Sequence, residues 1–152
     1  MTLKQQIEQD LKVALLSGDK VTSTTLRSLK GAILNAEIST GTRETGLSDD
    51  DVIDIVSKEV KKRNEAAELY TRANDSERAA QEQNENKIIE KYLPKQLTEE
   101  ELLSEVNSVL AVTNKDSYKN IGLLIKSVQD RTGKQATSER IVIAIKSVLE
   151  SL

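Results

Sequence analysis

Histidine, cysteine, phenylalanine and tryptophan are absent from the 152 residues of this chain, and proline occurs once. Each absence closes a class of chemistry. Without histidine the chain lacks the commonest general base and metal ligand near neutral pH. Without cysteine there are no disulfides and no thiolate metal sites. Tyr70, Tyr92 and Tyr118 are the only aromatic residues. That leaves little for stacking on nucleic-acid bases, and a core of aliphatic side chains, which suits helix-on-helix packing better than a sandwich. No apolar run approaches the roughly 18 residues of a membrane span. The opening "MTLKQQIEQDL" has neither the apolar stretch of a signal peptide nor the arginines of a transit peptide. The expected compartment is the cytoplasm, with the mitochondrial matrix as the alternative if a presequence has been removed.

What is present is 31% charged and 37% hydrophobic residues with a net charge of −3. A balance rich in Leu, Ile, Val, Ala, Lys and Glu reads as all-α. Leu3, Ile7, Leu11, Ala14 and Leu15 form a helical stripe over about residues 2–17, closed by Gly18. Asp19 can cap a second helix to about Ile38, carrying Leu26, Leu29, Ile33 and Ala36 inward. "STGTRETGLS" reads as a loop. Ser48 and the aspartates after it open a long third helix to about Ala73, on a stripe of Val52, Ile55, Val56, Val60, Ala67 and Tyr70. After the turn "ANDSER", a fourth helix has its apolar cluster at Ile88, Ile89, Tyr92 and Leu93, and its first half is expected to face solvent.

Pro94 stops that helix, because it lacks the amide proton and disfavours α geometry at Leu93. Thr98 and Glu101 then make the capping box of a new helix. Three short helices are expected beyond it, about 99–112, 117–131 and 138–151, with Gly133 closing the middle one. The expected organisation is two helical subdomains separated by the proline break: residues 1–93 with about four helices and residues 94–152 as a three-helix bundle.

Motifs with catalytic overtones fail on context. Gly41 to Ser48 has the spacing of a phosphate loop, but Leu47 stands where the lysine belongs, and the segment follows a helix instead of a strand. Asp49, Asp50, Asp51 and Asp54 suit a helix dipole better than a shared cation. Ser28 and Lys30, two apart on a helix, point to different sides. No catalytic residue, metal ligand or cofactor is assigned.

Basic residues carry more. Between Ser117 and Leu149 stand Lys119, Lys126, Arg131, Lys134, Arg140 and Lys146 against only Asp130 and Glu139, a local charge of +4. "KEVKKR" adds Lys58, Lys61, Lys62 and Arg63 on the third helix. Such polarised charge can grip phosphates without reading bases, although lysine on a solvated helix face is the plainer interpretation.

The segments "LRSLKGAILNAEI", "EVKKRNEAAELYTRANDSERAAQE", "IIEKYLPKQLTEEEL" and "IGLLIKSVQDRTGKQA", in this order, resemble the YqeY-like family over roughly residues 2–150. That family is homologous to the tail of the B subunit of the glutamine-dependent aminoacyl-tRNA amidotransferase. The resemblance implies an all-α protein of two helical parts. It also implies a non-catalytic module that binds tRNA by backbone and shape, since in the amidotransferase the tail reaches the tRNA body while the chemistry happens elsewhere. The implied contacts are Lys126, Arg131, Lys134 and Arg140, with Lys61, Lys62 and Arg63 as a second patch; Gly122, Gly133 and Pro94 are assigned structural roles. Here "IGLLIK" replaces the family's usual Lys and Met by Leu123 and Leu124, and "RTGKQAT" keeps Gly133 and Lys134 but lacks the acidic residue and second glycine of the family's turn. Two other readings stand beside this one. The chain could dock on an amidotransferase or another protein through an apolar groove between the subdomains. Or it could take part in carbon–nitrogen ligation with glutamine as donor, only together with catalytic subunits.

Overall fold

A computed structural model describes residues 1–152 and contains seven α-helices and no strand. They are α1 (Leu3–Ser17), α2 (Lys20–Thr40), α3 (Asp49–Arg72), α4 (Ser76–Glu90), α5 (Glu99–Ala111), α6 (Ile121–Thr132) and α7 (Ser138–Glu150), with 3₁₀ turns at Lys115–Lys119 and Gly133–Gln135. The chain divides into two compact units, Met1–Leu93 and Pro94–Leu152. No helix is long and apolar enough to cross a membrane.

Helix ends follow local chemistry. The Thr2 and Thr98 side chains accept from the amides of Gln5 and Glu101, which return the bond in reciprocal capping boxes. Asp19 caps α2 through the Thr22 amide, and its paired bonds to the Thr22 amide and hydroxyl hold its carboxyl below the usual range. Gly18 and Gly41 end α1 and α2 in left-handed conformations. The aspartates opening α3 divide their work: Asp49 accepts from the Leu3 amide at 2.9 Å, which ties the start of α3 to the start of α1.

In the first unit, Ile7, Leu11, Leu26, Leu29, Ile33, Val52, Val56, Ile89 and Tyr92 form an aliphatic core with one ring. Tyr92 donates from its hydroxyl to Asp10 Oδ2 at 2.5 Å, and Lys91 lies 3.6 Å from the same carboxylate. Burial and the Asp10 bond push the Tyr92 hydroxyl far above its ordinary pKa.

The far half of the α3–α4 pair is held differently. The first half of α4 is largely solvent-facing, as expected, but it buries Ala79 and Asn86. Asn86 donates to Asn64 Oδ1 (2.8 Å) and to the Val60 carbonyl (3.3 Å). Small and amide side chains allow close helix approach where aliphatic ones are missing.

The second unit packs Leu102, Val106, Val109, Leu110, Leu124, Val128, Ile141, Ile145 and Val148 between α5, α6 and α7. Its middle helix begins later than the expected residue 117. The Asn114 side chain caps a 3₁₀ turn at the Asp116 amide, and Asn120 then breaks the chain before capping α6 at the Leu123 amide.

Candidate nucleic-acid interface

α6 turns its apolar stripe, Leu124, Val128 and Thr132 fully and Ile121 and Ile125 partly, into the second unit. At about 100° per residue, Lys126 and Arg131 then project about 140° apart around the axis. Lys126 is exposed. Arg131 leans the other way, toward α5, and its Nε donates to Glu105 at 2.7 Å. The two basic residues therefore do not form one face, and Arg131 is already neutralised across the helix pair.

Past α6, Gly133 takes φ +56°, a conformation that side-chain-bearing residues rarely adopt. The turn it makes is stitched to the segment after Pro94. The Leu97 amide donates to the Gln135 carbonyl at 2.9 Å, and Gln96 Nε2 donates to both the Lys134 and Pro94 carbonyls. Arg140 closes the clasp, its Nη2 donating to the Leu97 carbonyl at 2.5 Å. A charged donor spent on a backbone acceptor is a structural fastener, so Arg140 leaves the set of expected phosphate contacts. Lys134 stays exposed at the rim of the turn. Gly122 has no close neighbour. A side chain there would meet only Asn120 Oδ1, at an ordinary 3.5 Å, so no helix approaches it closely.

The second patch splits in the same way. Lys61 and Lys62 are exposed on α3. Arg63 is only 9% exposed. It pairs with Glu59 Oε2 at 3.0 Å, and its Nε lies 3.6 Å from Glu85 of α4. The physical reason is period: Arg63 lies seven residues after Val56 and four before Ala67, on the stripe that faces α4. A run that looks solvated in the sequence thus points one of its four cations inward.

Aromatic stacking has little to work with. Tyr92 is buried, Tyr118 is half-buried with its hydroxyl on the Leu110 carbonyl, and Tyr70 lies under the Arg78 guanidinium at 5.8 Å. No group of three or more acidic side chains converges to hold a metal ion. What remains is a set of exposed lysines, Lys61 and Lys62 on one unit and Lys126 and Lys134 on the other, able to meet phosphates as point charges. The sequence gives no signal for the Arg131–Glu105 pair, which joins residues 26 apart on different helices. The burial of Arg63 is signalled by its spacing alone.

A family model described as Yqey-like protein matches residues 4–149. The chain is similar to the altered inheritance of mitochondria protein 41, mitochondrial, of Clavispora lusitaniae, 26% identical over 153 residues, which span 99% of this chain and 86% of that protein. It is also similar to the protein of the same name from Vanderwaltozyma polyspora, 31% identical over 87 residues, covering 57% of this chain and 46% of that one. Against this second relative the matched part is less than half of its length.

Proposed function

The chain belongs to the YqeY-like family, and from that premise we propose that it is a non-catalytic helical module that binds tRNA through phosphates and shape. The observation that carries the reading is the division of its cations. The arginines of both expected patches turn toward other segments, to Glu59 and Glu85, to Glu105 and to the Leu97 carbonyl, whereas Lys61, Lys62, Lys126 and Lys134 are exposed, Lys62 keeping 72% of its side chain in solvent even while it pairs with Glu59 at 3.5 Å. Lysines without neighbouring rings or bidentate arginines favour contacts that are uniform across sequences.

Four phosphate contacts give a log–log salt slope of about −3 to −4, so raising salt from about 50 to 200 mM weakens binding by roughly 10²-fold. A mobility-shift titration of bulk tRNA against the full chain, with duplex DNA alongside, measures this. Lys126→Ala with Lys134→Ala is expected to weaken binding equally across tRNA species and to lower the slope by about 2. Arg131→Ala is expected to change binding little. No retention of tRNA even at low salt would reject the reading and direct attention to protein partners, an amidotransferase complex among them. The names of both relatives support a mitochondrial location over the cytoplasm. Fractionation of the source cells, with the endogenous protein detected by antibody, tests that placement.

A further inference from the structure

Helices α5 and α7 lie side by side and start at the same end, since Arg140 in the first turn of α7 reaches Leu97 just ahead of α5. α6 packs against both and fills the core side. The other side is open. Leu102 and Leu103 of α5 face Ile143 and Ala144 of α7 across a groove of about 180 Å³. A closed cavity of about 150 Å³ already holds a benzene ring, so this groove can take one large apolar side chain. Ile143, 69% exposed, stands at its edge on a helix whose other isoleucines are buried.

The helical periods give the groove direction. Arg140, Ile143, Ala144 and Ser147 follow i, i+3, i+4, i+7 spacing, and Glu99, Leu102 and Leu103 follow i, i+3, i+4. Two such stripes with a gap between them match the stripe of a third helix. Charge selects the occupant. Glu99 lines the groove at the common start of α5 and α7, and Glu100 is exposed beside it. Arg140 also lines the groove and keeps its positive charge while donating to the Leu97 carbonyl. Against it stand Glu99, Glu100 and Glu101 in the first turn of α5 and Glu139 in that of α7, so the entrance is acidic on balance and attracts cations.

We propose that the α5–α7 groove is a docking site for a basic amphipathic helix of a protein partner. A Leu- or Phe-sized anchor sits between Leu103 and Ile143, and a lysine or arginine of the same helix lies against Glu99 and Glu100.

The test uses the isotope-labelled full chain and three synthetic peptides of about 18 residues, or about 27 Å of helix. One carries leucine and lysine at helical period, one leucine and glutamate at the same period, and one the first composition in scrambled order. The lysine peptide alone is expected to shift the backbone amides of Leu102, Leu103 and Ile143–Ser147. Ile143→Asp, at a solvent-facing position that leaves the core intact, and Glu99→Lys with Glu100→Lys should each weaken binding at least tenfold. Equal binding of all three peptides, shifts centred elsewhere, or an Ile143→Asp chain that binds like the parent would overturn the proposal. So would concentration-dependent shifts of the same amides without peptide, which would make a second copy the occupant.

Discussion

At the residue scale, the most consequential groups are charges that the helical period carries inward. Glu37 is fully buried, and Lys4 lies 2.7 Å from its Oε1. The ammonium sits at ion-pairing distance without hydrogen-bond geometry, and Oε2 has no partner. Removing one member of a buried pair strands the other at a cost of about 3–5 kcal/mol, whereas replacing both by apolar groups can be neutral. Lys4→Met is therefore expected to destabilise the first unit by about 3 kcal/mol, and Lys4→Met with Glu37→Leu to recover most of that loss. Urea unfolding of the two variants checks it; a double variant as unstable as the single would mean that the pair is worth more than its volume. Glu37 was findable in principle, four residues after the buried Ile33 on the α2 stripe. A hydropathy reading skips it because a carboxylate does not announce its partner on another helix.

Single elements show a sharper division between what local chemistry encodes and what only packing decides. The ends of α1, α2, α3 and α5 are legible from Gly18, Asp19, Ser48 and the Thr98–Glu101 box, because capping uses atoms within three residues of the helix end. The start of α6 is not, since Tyr118 belongs to the apolar period yet sits in a 3₁₀ turn fixed by Asn114 and Asn120. The basic surface is legible only in part. Lys61, Lys62, Lys126 and Lys134 remain outside, while Arg63, Arg131 and Arg140 find partners on other segments.

The α3–α4 pair exposes the cost of its polar packing in one group. Partial burial, with the Glu85 charge adding to it, raises the Glu82 pKa against the smaller opposing pull of Arg63. A carboxyl raised above its unfolded value stabilises the fold when protonated and loses that contribution as pH rises through the folded pKa. At pH 7 the ionised Glu82 is thus a liability. Glu82→Gln is expected to raise Tm by about 1–2 °C at pH 7, on a scale of about 2–4 °C per kcal/mol for a chain of this size. The gain should vanish below pH about 4, where the wild-type side chain is already neutral. Calorimetry across that range measures it; an equal gain at both ends would assign the effect to helix propensity.

On the scale of the whole molecule, each unit has its own core and its own fastening. The first closes on Tyr92 and Asp10, and the second on the clasp that joins Leu97 to Gln135 and Arg140. A unit of about 60 residues buries only about 60% of the surface its unfolded chain exposes, so the second unit has little stability to spare. Leu124 is fully buried at its centre. Leu124→Ala is expected to remove about 2–5 kcal/mol, the cost of a core truncation with its cavity, which is enough to unfold a marginal unit. If the two cores are energetically separate, hydrogen exchange in the full-length variant will accelerate throughout α5, α6 and α7 and leave the slow amides of α1–α4 unchanged. Acceleration of both sets by the same factor would mean that the 152 residues open as one cooperative body. The outcome also bears on the proposed binding, because a separately unfolding second unit would take Lys126 and Lys134 with it and leave Lys61 and Lys62 as the only organised members of the proposed lysine set.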